Sequence, residues 1–249
     1  MKEVKDIFSK QSEGYASYRP VAPDALLEFV YSKVAHFGTA WDCGTGNGQI
    51  AARLSERFEQ VYATDISEQQ LEKAAKRENI IYKKERSEHT GFDDDTFDLI
   101  TAAQAIHWFD FDAYYAEVRR VGKNGAVIAV WTYYTPRISE GVDKIVDNFY
   151  FNTIGNYWDK ERRYIDERYQ TIPFPFEEFE VPEFHIHAQW TAEQILGYLS
   201  TWSSVQHYMA KHDENPVLQI KDAIENEWEN DTLKDVIFPM YMRIGTIEK

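Results

Sequence analysis

The sequence predicts an α/β fold: a doubly wound, mostly parallel sheet of seven strands, carrying a helical, aromatic-rich insertion. Three observations point there. Helix-period and strand-like segments alternate between residues 23 and 132, the pattern of a parallel sheet covered on both faces. The first strand-like run ends at Cys43 and turns through three alternating glycines, Gly44, Gly46 and Gly48, which let backbone approach a ligand where side chains would block it. Two further strand-like runs near 179–188 and 236–244 can complete the sheet, one of them antiparallel.

Taken in order, a helix over about 23–36 opens the alternation, with Asp24 behind Pro23 as its cap. Strands are expected at about 39–43, 60–65, 79–83, 97–104 and 125–132, linked by helices over about 49–58, 67–78 and 110–121. Ser67 followed by Glu68 starts the third helix, and Lys123-Asn124-Gly125 makes the turn into the fifth strand. From Tyr133 to about Glu180 the alternation lapses and aromatic residues crowd in, among them Tyr134, Phe149, Tyr150, Trp158 and Tyr164. That stretch is too long and too apolar for a bare loop, so residues 133–180 are expected to form a helical cap on the ligand-bearing edge of the sheet. Helical segments near 191–200, 203–212 and 216–228 separate the last two strands, and the whole of 1–249 reads as one domain.

Composition narrows the function. With 249 residues, 43% of them hydrophobic, the chain can build a full core and fold alone. Its 42 acidic against 27 basic side chains give a net charge of −15, which repels nucleic-acid backbones and anionic membranes. No apolar run approaches a membrane span, and the segment Met1 to Asp6 lacks a signal-peptide core, so a soluble cytoplasmic protein is expected. The single cysteine, Cys43, excludes an internal disulfide and a thiolate metal cage, and reads as a small buried residue behind the glycine turn. His185 and His187 alternate along a strand-like run; with His89, His207 and His212 they make no metal-ligand set, and no metal is expected.

The glycine turn leads into a helix whose free N–H groups favour a negative group, at the edge where such sheets bind ligands. Asp65 lies 23 residues after Asp42 at the end of the second strand, where a carboxylate can accept from both hydroxyls of a ribose. The spacing is not that of a dinucleotide fingerprint, and Asp42 stands two residues before the first glycine. An acid there repels a pyrophosphate but suits the ammonium of an amino acid, which favours S-adenosylmethionine over NAD.

These residues carry a family resemblance. The Asp42–Gly48 turn and Asp65, with Tyr15-Ala-Ser-Tyr18-Arg19-Pro20, Arg86-Ser87-Glu88, Phe97-Asp98-Leu99, the run Ala103 to Trp108 and Thr201-Trp202-Ser203-Ser204, are similar to segments of class I S-adenosylmethionine-dependent methyltransferases. The group resembled is methyltransferase type 11, with the trans-aconitate-methyltransferase-like small-molecule enzymes, and the likeness covers nearly the whole chain. It implies a Rossmann-like sheet. It also implies that residues 1–22 form a lid over the cofactor, with Tyr18 and Arg19 near the sulfonium or carboxylate. Ser87 and Glu88 would meet the adenine edge, Ile66 would stack on adenine, and Gln104 would end the fourth strand beneath the methyl donor. The Thr201–Ser204 segment would begin a helix capped by serine near the substrate cavity.

Methyl transfer asks the protein mainly to align two reactants, and a base is needed only when the acceptor must lose a proton. A carboxylate acceptor needs none, whereas a hydroxyl does. His107 is the histidine tied to a motif; it either takes that proton or hydrogen-bonds within the wall beside Trp108. Trp108, Trp131, Tyr133 and Trp202 suggest a largely apolar small-molecule acceptor, and the aromatic residues divide between pocket lining and ordinary core. Basic residues of the insertion, Arg137, Lys144, Arg162, Arg163 and Arg168, can recognise a carboxylate, although Arg162 and Arg163 beside Glu161 read more simply as solvated. A non-catalytic S-adenosylmethionine-binding protein and a methyltransferase of proteins remain open alternatives, and a nicotinamide-dependent oxidoreductase is disfavoured by the glycine spacing.

Overall fold

The computed structural model describes residues 20–229 and 232–249. Its first helix, α1 (Asp24–Tyr31), turns Leu26, Leu27, Val30 and Tyr31 into the core. The expected cap is displaced by one residue: Pro23, with extended backbone, occupies the N-cap position, and Asp24 lies inside the first turn, where its carboxylate meets Arg53 at 2.5 Å.

Then follow β1 (Thr39–Cys43), α2 (Gln49–Leu54), β2 (Gln60–Asp65), α3 (Glu68–Glu72), β3 (Ile80–Lys84) and β4 (Phe97–Ala103). After a 3-10 turn at Ile106–Trp108 come α4 (Phe111–Val121) and β5 (Gly122–Tyr133). Ser67 caps α3 as expected, accepting from the Gln70 N–H. That helix is much shorter than its predicted span because residues 75–78 are all exposed, so no apolar face holds them to the sheet. Lys123 and Asn124 lie within β5 rather than before it. The strand absorbs them as an irregularity, with a register shift opposite Phe97–Leu99 and Gly125 at φ +82°.

The insertion comprises α5 (Glu140–Asn148), continued by a π-helical turn at Phe149–Thr153, a 3-10 turn at Gly155–Tyr157 and the short α6 (Arg162–Asp166). A two-residue strand, β6 (Glu177–Glu178), precedes β7 (Phe184–Trp190), α7 (Ala192–Ser200), α8 (Ser203–His212), α9 (Lys221–Trp228) and β8 (Lys234–Thr246). All seven expected strands are present, and β6 adds an eighth.

The strand order is β3-β2-β1-β4-β5-β8-β6, with β7 also paired to β8. Strands β1 to β5 run parallel, and β8 is antiparallel to β5, β6 and β7. The order reverses between β1 and β4, so the carboxyl ends of those two strands flank the crevice where such sheets bind ligands. Alternation along β5 feeds both faces: Val127, Ala129 and Trp131 join one core cluster, Ala126, Ile128 and Val130 the other. Among the described residues no helix is long and apolar enough to cross a membrane.

Candidate active site

The turn after β1 is built from backbone that side chains would obstruct. Gly44 sits at φ +63°, and a Cβ there would stand 2.6 Å from the Ala105 methyl group. Gly48, at φ +77°, opens α2, and a Cβ there would lie 2.5 Å from the Tyr82 hydroxyl. Between them the Gly46 N–H donates to Asp65 Oδ2 at 2.8 Å, while the Ser67 N–H donates to Oδ1 at 2.8 Å. Two backbone donors thus fix the carboxylate at the end of β2.

Two cavities open at this edge. The larger, about 410 Å³, is walled at one end by Gly44, Gly46, Asp65, Ile66, Ser87 and Glu88, and at the other by His107, Trp108, Phe109, Trp158, Arg162 and Trp202. The smaller, about 40 Å³, holds Asp42, Thr45, Asn47 and Trp131. Gly44, Ala103, Gln104 and Tyr133 line both.

Asp42 is 1% exposed, and its register on β1 places it opposite Thr101 of β4. The Thr101 hydroxyl donates to Oδ1 at 2.8 Å and the Thr45 hydroxyl to Oδ2 at 2.5 Å. Burial outweighs those hydrogen bonds and pushes the carboxyl up from 3.8 to about 6. Beside it, Asn47 Oδ1 is buried with no hydrogen-bond partner among the described residues. Gln104 takes a left-handed backbone at φ +54°; its Nε2 donates to the Tyr133 carbonyl at 3.3 Å and its Oε1 accepts from Thr132 at 2.6 Å. A non-glycine residue held in that region beside a cavity fits a site whose surroundings fix its conformation.

His107, 4% exposed, stands on the 3-10 turn after β4, with Nδ1 at 2.8 Å from the Tyr169 hydroxyl. Ser87 is 5% exposed, and Glu88 is already engaged by Arg86 at 3.3 Å and by the Asp110 N–H at 3.2 Å. Cys43 is buried behind the turn against the Tyr114 hydroxyl, and burial holds its thiol well above the usual range.

Several expectations are redrawn. Tyr18 and Arg19 lie outside the described residues; of the expected lid, Pro20 and Ala22 line the smaller cavity. Gly48 lines neither cavity, and Trp131 lines the smaller one, because its position on β5 turns it toward Asp42. Arg162 is not solvated: its side chain is 19% exposed and faces the larger cavity, whereas Arg163 is exposed. Trp202, not a serine, takes the N-cap position of α8, and no side chain caps that helix. Phe109, Asp159 and Tyr198 join the wall without having been singled out; of these only Phe109, directly after His107-Trp108, had a sequence signal.

Comparison with known proteins decides the family. Residues 41–130, which run from β1 to β5, match the methyltransferase domain family. Over 98% of its length the chain is 30% identical to a Dictyostelium discoideum protein named as a methyltransferase, of which it covers 95%. A methyltransferase of Aspergillus candidus is 28% identical over 81% of this chain and 66% of its own. A solved structure of an Anaeromyxobacter dehalogenans protein named as a type II methyltransferase superposes with a TM-score of 0.86 and 37% identity, covering 93% of this chain and 99% of that one. The chain is a class I S-adenosylmethionine-dependent methyltransferase.

The residues of this methyltransferase fit the cofactor. A buried carboxylate without a cation is costly, and an ammonium at Asp42 offsets that cost, with Asn47 Oδ1 as a second acceptor nearby. Gly44 lines both cavities, so backbone bare of a side chain borders the ligand space. In the methyltransferase, Asp65 would hold ribose hydroxyls, and Ile66 and Ser87 would border the base. S-adenosylmethionine supplies a methyl group already activated by a sulfonium.

Proposed function

We propose that the protein transfers a methyl group to a small, partly apolar molecule through a carboxylate or hydroxyl oxygen. The observation that carries this reading is the continuity of the larger cavity: the wall that holds Asp65, Ile66 and Ser87 runs through Gln104 into a wall of Trp108, Phe109, Trp158 and Trp202. An acceptor enclosed there is shielded from water and oriented toward the β4 end, which is most of what the transfer asks of the protein.

In this proposal residues 133–180 act as the cap of the acceptor site, contributing Trp158 and Arg162. Asp42, Gly44, Gly46, Asp65, Ile66, Ser87, Glu88 and Gln104 bind the cofactor; Trp108, Tyr133 and Trp202 border the acceptor. For a hydroxyl acceptor His107 takes the proton; for a carboxylate it shapes the wall. The test is incubation of purified protein with S-adenosylmethionine and a panel of apolar acids and phenols, with products read by mass spectrometry. A mono-methylated product supports the reading. Tight cofactor binding with no small-molecule turnover would instead favour a binding protein, and methylation of added protein extracts a macromolecular acceptor.

A further inference from the structure

Arg162 is the most under-used strong donor on the cavity wall. It opens α6, its side chain is only 19% exposed, and its guanidinium lies 4.5 Å from the Trp158 ring centre and 5.2 Å from that of Tyr150. One of its five N–H groups is occupied: Nε donates to the Tyr150 hydroxyl at 2.7 Å. The Tyr150 hydroxyl in turn donates to Asp166 Oδ1 at 2.5 Å, and that carboxylate stands 3.7 Å from Nε. The tyrosine and the aspartate therefore grip the guanidinium from its Nε side and fix its plane. Neither Nη1 nor Nη2 meets an acceptor within hydrogen-bond distance among the described residues.

A guanidinium held by aromatic faces and by one edge keeps its outer fork set for a planar oxyanion. The four remaining N–H groups lie at the cavity lining, where an oxyanion ligand can replace water on them. Two other cations of the insertion are ion-paired, Arg137 with Asp147 at 2.8 Å and Lys144 with Glu140 at 2.6 Å. Lys160, Asp159 and Glu161 also line the cavity, and Asp159 lies 3.8 Å from His207 Nδ1.

Resting on the methyltransferase reading of this cavity, we propose that Arg162 anchors a carboxylate of the acceptor, so that the substrate is an aromatic or apolar acid held by its acid group at the cap. The tryptophans beside the fork receive the apolar body. Lys160 adds positive charge on the same side, whereas the flanking acids disfavour a second anionic group elsewhere on the molecule.

The experiment uses the full chain saturated with S-adenosylhomocysteine, titrated by calorimetry with benzoate, phenylacetate and cinnamate, with their carboxamides, and with benzylamine. At least one acid should bind about tenfold tighter than its amide, and Arg162→Gln should abolish that difference while Arg162→Lys keeps part of it. S-adenosylhomocysteine affinity and thermal midpoint, measured on each variant, report whether the fold survives. If Arg162→Gln does not fold, Arg162→Lys and the acid-against-amide comparison in the natural protein still decide. Equal binding of acids and amides, preference for the amine, unchanged acid binding in Arg162→Gln, or no acid bound by protein that binds S-adenosylhomocysteine would each overturn the proposal. Failure of the natural protein to bind S-adenosylhomocysteine would strike the methyltransferase reading instead.

Discussion

His107 Nδ1 and the Tyr169 hydroxyl, 2.8 Å apart, tie a residue of the cavity wall to a fully buried side chain of the insertion. Burial holds the Tyr169 phenol well above its ordinary range, so it stays protonated. Nearby on β5, the Thr132 hydroxyl donates to Gln104 Oε1 at 2.6 Å. Because Gln104 Nε2 must face the Tyr133 carbonyl, its Oε1 faces Thr132, which must donate. The base role proposed for His107 requires the imidazole to donate from Nδ1 to the Tyr169 oxygen and to be basic at Nε2.

That polarity predicts the tautomer. In 15N-labelled protein above the titration of the ring, His107 should show a protonated Nδ1 and a bare Nε2. Tyr169→Phe should mix the two tautomers with S-adenosylmethionine affinity nearly unchanged. A ring protonated at Nε2 in the natural protein would remove the base role and leave His107 as part of the wall.

Asp42 makes cofactor binding depend on pH. Its carboxyl is raised from 3.8 to about 6 by burial, so between those values the folded protein keeps a proton that the unfolded chain has released. Folding stability contributed by this group is therefore greatest at low pH and falls as pH rises through that window. An ammonium partner favours the ionised form, so calorimetric affinity for S-adenosylmethionine should rise from about pH 5 to about pH 7.5. Asp42→Asn should flatten that rise and weaken binding by about 10- to 100-fold, without lowering the thermal midpoint of the free protein.

Asp65→Ala should weaken S-adenosylmethionine by roughly 2–3 kcal/mol through loss of charge-assisted hydrogen bonds. The Gly46 and Ser67 N–H groups lose their acceptor in the same variant, so part of the effect is a loosened turn. Unchanged affinity in a folded variant would remove Asp65 from the site.

Gly44→Ala tests the turn from the other side. The new methyl group would meet Ala105 at 2.6 Å from backbone already at φ +63°. About 1–2 kcal/mol of conformational strain alone should lower the thermal midpoint by several degrees. Steric displacement of the turn should also cost cofactor affinity, read in the same calorimeter.

The strands and the cofactor edge were legible because their signals are local. Apolar runs fixed β1, β2 and β4, the three glycines marked the turn, and the interval from Asp42 to Asp65 put two acids on neighbouring strand ends. The insertion was legible only as an aromatic segment. Arg162 beside Glu161 looked solvated, because nothing in the neighbouring sequence shows that Tyr150, twelve residues back, returns to hold its Nε. Trp131 and Trp108 looked alike as aromatic residues, yet the face of β5 and the turn after β4 send them to different cavities. Helix lengths failed for a related reason: propensity without a buried face did not carry α3 past its first turn.

Among the described residues the sheet ends at β3 on one side and, on the other, at β6 and β7, both paired to β8. Unpaired strands invite lateral addition of another chain. Here Lys83 and Lys84 stand on one rim, and His185, His187 and Gln189 on the other, in a molecule of net charge −15. Colloidal stability is therefore a matter of charge, and it should weaken as acidification approaches the isoelectric point near 4.9 and self-repulsion vanishes.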